Sequence, residues 1–146
     1  MAARSQFFRA NVGVVVHDGA GRLLAFERSD APGAWQLPQG GLDEGEEPLA
    51  GALRELEEET GIPAGAVEVE REHPEWLAYE LPPERRRKRI GRGQVQKWFL
   101  VRLVGDPALI RPREEFRDFK WTTLEALIDE VVEFRRPIYR RLSELF

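Results

Sequence analysis

The chain has 146 residues, a net charge of −4, 42% hydrophobic and 33% charged residues, a balance that fits one compact soluble domain over residues 1–146 and excludes a disordered or fibrous chain. It contains no cysteine, which excludes disulfides, thiolate catalysis and cysteine-bound zinc, and a cytoplasmic setting is expected. The longest apolar run, residues 12–16, is far too short to span a bilayer, and the start of the chain, with Arg4 before Phe7, Phe8 and Arg9, has no signal-peptide pattern.

Residues 11–17 are apolar and β-branched and read as a buried strand, ended by the turn Asp18-Gly19-Ala20-Gly21. Residues 22–28 are its expected hairpin partner, residues 29–34 a loop, and residues 35–39 a short extended piece running into Gly40 and Gly41. A helix is expected next. Pro48 suits its first position, Glu46 and Glu47 suit the positive end of its dipole, and Gly61 followed by Ile62-Pro63 stops it. Residues 76–81 and 94–104 read as strands flanking a long basic loop, and residues 116–121 as another. Thr123 caps an expected helix over residues 124–132, and residues 136–146 fit a last amphipathic helix. Strands and helices interleaved in this way give an α/β domain with a mixed sheet.

Charge is unevenly placed. Residues 43–59 are crowded with carboxylates, whereas Arg85, Arg86, Arg87, Lys88, Arg89 and Arg92 form a basic run. This suggests bound cations and an anionic partner, although two solvated faces would give the same pattern. At about 100° per residue, Glu55, Glu58 and Glu59 share one helix face, and Leu49, Leu53 and Leu56 occupy the neighbouring face. Such crowded carboxylates repel unless neutralised, either by hard divalent cations or by a neighbouring arginine such as Arg54.

The upstream residues favour the cations. Gly40, Glu46, Arg54-Glu55-Leu56, Glu58-Glu59 and Gly61-Ile62 match every fixed position of the Nudix box, G-x5-E-x7-R-E-U-x-E-E-x-G-U, where U is a bulky aliphatic. By average usage a chance match has a probability of roughly 10⁻⁷ to 10⁻⁹ per start point. The chain therefore resembles the Nudix hydrolases. That resemblance implies an α/β/α sandwich with a mixed sheet, whose box forms a loop–helix–loop holding more than one ion of magnesium or manganese. It implies Glu55, Glu58, Glu59 and the Gly40 carbonyl as metal ligands, with Arg54 and Glu46 orienting the loop.

The flanks, among them residues 35–41 and 93–99 and Tyr139-Arg140-Arg141, resemble one branch, the bacterial RNA 5′-pyrophosphohydrolases and related dinucleoside polyphosphate hydrolases. In that branch a further glutamate serves as metal ligand or base, which Glu115 before Phe116 matches, with Glu114 standing where proline is common. Arg28, Gln96 and Lys97 match positions near substrate phosphates, and Arg9 one near the nucleic-acid end. Tyr79 could stack a base or belong to the core. His17 and His73 read as structural. The expected activity is hydrolysis of phosphoanhydrides in RNA 5′-polyphosphate ends or dinucleoside polyphosphates, with no membrane partner. A catalytically silent nucleotide-sensing module, or an RNA-binding one, is the alternative.

Overall fold

The computed structural model describes residues 6–87 and 89–146; Arg4 and Lys88 lie outside the described residues. Strand β1 (Phe8–His17) runs through the middle of the sheet and pairs in parallel with β7 (Gly93–Leu103) from Phe8↔Gly93 to His17↔Arg102. Its other edge is shared. Asp18 Oδ1 accepts from Ala20 N and Arg22 N, turning the chain into β2 (Leu23–Arg28), yet β1 and β2 pair only at His17↔Leu23. In the space they leave, β4 (Gln39–Gly41) pairs with β1 through Asn11↔Gly41, Val12↔Gly40 and Gly13↔Gln39. The Gly40 loop is thereby seated against the centre of the sheet.

Strands β3 (Trp35–Gln36) and β8 (Phe116–Thr122) pair with β2, and β6 (Leu77–Glu80) with β7. A further strand, β5 (Val67–Glu72), pairs with β7 and went unassigned in the sequence.

Alternation along β1 builds two cores. Val12, Val14 and Val16 face one side, where they pack with Ala52 and Leu56 of α1 (Pro48–Thr60). Val15 faces the other, with Leu127 of α2 (Leu124–Glu130) and Ile138, Tyr139 and Leu142 of α3 (Arg136–Leu145). A strand buried on both faces reads as an unbroken apolar run, as residues 12–16 do apart from Gly13. The result is the expected α/β/α sandwich.

Helix boundaries follow local chemistry. Gly61 closes α1 at φ 79°, a left-handed value that suits glycine, and its N–H reaches Glu57 O. Thr123 Oγ1 accepts from Ala126 N at the start of α2. The helix stops at Glu130, two residues short of expectation, because Val131 is already extended at ψ 152°. Two further expectations for α1 need correction. Its buried stripe is Gly51, Ala52, Leu56, Glu59 and Thr60, which leaves Leu49 exposed and puts Glu59 on the packed side. Glu46 lies at the start of the helix as expected, beside Gly51, but makes no capping bond there; its carboxylate is taken by Arg54. Among the described residues, no helix is long and apolar enough to cross a membrane.

Candidate active site

Arg54 organises the box. Its Nε and Nη2 donate to the two oxygens of Glu46 at 2.8 and 2.9 Å, and Nη2 also donates to Gly41 O at 3.0 Å. Nη1 donates to Glu55 at 3.0 Å and to Glu58 at 3.1 Å. One guanidinium thus ties the loop to the helix and draws two carboxylates together. The pairing holds the Glu46 carboxyl down at about 2, and Glu46 Oε1 also accepts from Asp43 N. Gly40 completes the contact: a Cβ there would lie 2.1 Å from the Glu55 carboxylate, so only glycine permits this approach.

The three box glutamates are graded in burial. The Glu58 side chain is 58% exposed and that of Glu55 14%, while Glu59 is buried. Burial pushes the Glu59 carboxyl well above the usual carboxylate range, and its hydrogen bond with Glu55 and the charge of Glu115 push the same way. Its Oε2 is buried with no hydrogen-bond partner. Glu115 arrives from a separate loop, which closes on the end of α1 through Arg111 N to Thr60 O and Arg113 N to Glu59 O. Glu114 and Glu115 both line the cavity of about 600 Å³ that Glu55, Glu58 and Glu59 share, but Glu115 is the one whose charge acts on Glu59. Glu114 has φ 24°, a value closed to proline.

The carboxylates of Glu55, Glu58 and Glu115 share a cavity with the orphaned Glu59 oxygen, a set of donors that suits hard divalent cations. Among the described residues, no three His, Asp or Glu side chains are already gathered round one ion position. Arg54 Nη1, between Glu55 and Glu58, occupies part of that space.

The expected substrate residues separate. Arg28 lies beside the cavity: it feels the charges of Glu115 and Glu59, and Ser29 N donates to Glu115 O at 2.8 Å. Arg9 is exposed with its guanidinium against Gly41, where a Cβ would come within 2.3 Å of it. Lys97 is buried on β7, pairs with Glu72 at 3.1 Å and lies 6.0 Å from the centre of the exposed Trp76 ring.

Gln96, expected near substrate phosphates, lies in the core, and of the two readings open for Tyr79 the structure favours the core. The Gln96 amide is wholly buried, donating to Asn11 Oδ1 and accepting from Trp98 Nε1, so it presents no surface to substrate. Tyr79 is buried against Phe134 at 5.8 Å and donates to Gln94 Oε1, which leaves it no open face for a base. The histidines are structural, as read: His17 pairs with Glu70, and His73 Nδ1 accepts from Glu75 N.

The NUDIX domain family matches residues 7–142. The chain belongs to this family. It is a Nudix hydrolase, similar to the RNA pyrophosphohydrolase of Dinoroseobacter shibae, at 41% identity over 95% of this chain and 91% of that one. It is also 37% identical to the chloroplastic Nudix hydrolase 26 of Arabidopsis thaliana, over 100% of this chain and 72% of that protein. Among solved structures, a C. elegans Ap4A hydrolase binary complex superposes with a TM-score of 0.71 at 25% identity, covering 93% and 96% of the two chains.

Beside Arg28 lies a cleft that sequence reasoning missed. Arg28, Arg85, Val132, Phe134 and Arg135 line it, with the Arg85 and Arg135 guanidiniums 5.5 and 5.4 Å from the Phe134 ring. Buried Gln36 ties its base together, accepting from Arg28 Nη1 at 3.0 Å and Arg135 Nη1 at 2.6 Å. The signal was the Phe-Arg-Arg run at 134–136, hidden by reading Val131 and Val132 as helix. The basic loop is less free than its composition suggests. Arg86 Nε donates to Leu81 O, and Arg87 Nη1 to Glu84 O and Arg86 O, so both brace the loop that carries Arg85.

Proposed function

We propose that this Nudix hydrolase is a divalent-metal-dependent pyrophosphohydrolase that cleaves phosphoanhydride bonds in RNA 5′-polyphosphate ends, with dinucleoside polyphosphates as the other substrate of the same site. The observation that carries the reading is the unpartnered Glu59 oxygen, crowded by Glu55 and Glu115 beside Gly40. Glu55, Glu58, Glu59, Glu115 and the Gly40 carbonyl would hold magnesium or manganese ions. When bound, such ions neutralise phosphate charge and lower the pKa of a coordinated water.

The chain's own groups then divide the work. Arg54 fixes the loop and aims Glu55 and Glu58. Glu115 faces the same cavity from its separate loop and is placed to take a proton from the attacking water. Arg28 stands between the acidic cavity and the aromatic cleft, where it grips a phosphate of the chain being cut. Lys97 supplies a second, shielded cation, and Arg9 lies at the rim beside the box loop. The guanidiniums of Arg85 and Arg135 against the Phe134 ring offer cationic contacts for a phosphate of the substrate beyond the one being cut. A substrate that extends past its first nucleotide can meet these cations as well as Arg28; a mononucleotide meets fewer of them. The names of the relatives, RNA pyrophosphohydrolase and Ap4A hydrolase, agree with that class.

The test compares rates for triphosphorylated RNA, diphosphorylated RNA, diadenosine tetraphosphate and ATP in magnesium at two salt concentrations. RNA is expected to exceed ATP, by a margin that shrinks as salt rises. A clear preference for diadenosine tetraphosphate, with no salt-sensitive advantage for RNA, would make the dinucleotide the principal substrate. No turnover of any of them would refute the proposal.

A further inference from the structure

The donors of Arg28 are divided between two partners. Nε and Nη2 each donate to one Asp30 oxygen at 2.8 Å, and Nη1 donates to Gln36 Oε1 at 3.0 Å. Asp30 therefore fills the side-on fork, the edge of a guanidinium that holds two oxygens of one phosphate at once. Exposure is unequal: the Arg28 side chain is 27% exposed and that of Asp30 69%. Asp30 can turn into water because most of its side chain is exposed, whereas Arg28 is held from beneath by Gln36; the two bonds it gives up set the cost that an incoming phosphate must offset.

Asp30 is also presented there by its backbone. Ser29 N is bonded to Glu115 O, Arg28 N to Ala34 O at 3.0 Å, and Gly33 N to Glu27 Oε2 at 2.8 Å. The loop between β2 and β3 thus holds a carboxylate over the Arg28 fork, within reach of the charges of Glu115 and Glu59.

We propose that Asp30 is a built-in competitor for Arg28, so that a substrate phosphate binds by exchanging with the Asp30 carboxylate on the Nε/Nη2 fork. This rests on the reading of Arg28 as a phosphate-binding residue. In the free protein the exchange partner keeps the guanidinium neutralised, which denies the fork to weak single anions. A polyphosphate held elsewhere in the site displaces it, since its other contacts raise its effective concentration at Arg28. Asp30 sets the affinity threshold of the site without touching the substrate.

The test is calorimetric titration with inorganic tripolyphosphate at low ionic strength and without divalent cations. The proteins compared are wild type, Asp30→Asn, Asp30→Ser, Arg28→Ala and the Asp30→Asn/Arg28→Ala double variant. Both Asp30 variants are expected to bind about two- to five-fold more tightly. Arg28→Ala is expected to bind more weakly, and the gain from Asp30→Asn to vanish in the double variant. If Arg28→Ala binds like wild type, the reading of Arg28 fails and the proposal goes with it. If Arg28→Ala binds more weakly but neither Asp30 variant gains, Arg28 stands and the exchange is overturned. A gain that persists without Arg28 also overturns it, since it reports only the removal of a negative charge. Tripolyphosphate that binds none of the proteins overturns both.

Discussion

Tyr139→Phe tests whether the Gly40 loop is held from the far side of the sheet. Tyr139 is wholly buried in α3, and its hydroxyl accepts the Leu37 N–H at 2.8 Å. Leu37 is equally buried and stands three residues before Gly40. Removing one oxygen keeps the ring packed edge-on against Trp98 at 6.2 Å and leaves the Leu37 N–H without a partner in the core. An unsatisfied buried donor costs about 1–3 kcal/mol. At roughly 2–4 °C per kcal/mol for a chain of this size, the midpoint should fall by roughly 2–12 °C. Thermal melts in chelator measure the loss, and amide hydrogen exchange localises it, with protection lost first at Leu37 and Gln39. A midpoint shift below about 2 °C with Leu37 still protected would refute the argument, because it would mean another group takes the donor.

Further outcomes concern the carboxylates. For Glu59, burial together with the neighbouring Glu55 and Glu115 raises the folded-state pKa well above its ordinary 4.5, so the native state binds the extra proton. The stabilisation from this proton is therefore full below 4.5 and lost as pH rises above it, by at most about 1.4 kcal/mol per pH unit; melts in chelator should show this slope in wild type and a flatter one in Glu59→Gln, and equal slopes would sink the assignment. Glu58→Gln should cut turnover in magnesium by orders of magnitude while leaving the metal-free melting temperature level or slightly higher, and near-normal activity would show that this face is not the metal face. Gly40→Ala places a Cβ 2.1 Å from the Glu55 carboxylate, so steady-state assays should show at least about tenfold lower activity; wild-type rates would show that Glu55 need not lie where it does.

Most of this architecture was legible in the sequence, for reasons that differ by element. Pro48 and Gly61 mark α1 because the helix-start and helix-stop chemistry is local. The valines of β1 mark a strand buried on both faces. Strand β5 was not legible: its Val-Glu-Val-Glu-Arg-Glu pattern reads as a charged exposed stretch, and its place depends on β7, some thirty residues away. The box glutamates were visible as a set but not their grading, since only the tertiary fold buries Glu59 and leaves Glu58 in water. Gln96 and Lys97 are neighbours in sequence with opposite outcomes. Alternation along β7 sends Gln96 with Trp98 towards one core and Lys97 to the other side, beside Glu72. The aromatic cleft escaped because Arg28, Arg85 and Phe134 come from three distant segments.

The guanidinium of Arg54 bears on the order of events when ions come and go. Glu46 and Gly41 hold it to the loop, while Glu55 and Glu58 share its remaining nitrogen. The box is thus cross-braced without a cation, and entry of the proposed ions would need side-chain exchange at one nitrogen rather than folding of a segment. Chelation should accordingly be a reversible silencing: a stripped protein keeps its compact form, and readdition of magnesium restores turnover on the timescale of ligand exchange rather than of refolding.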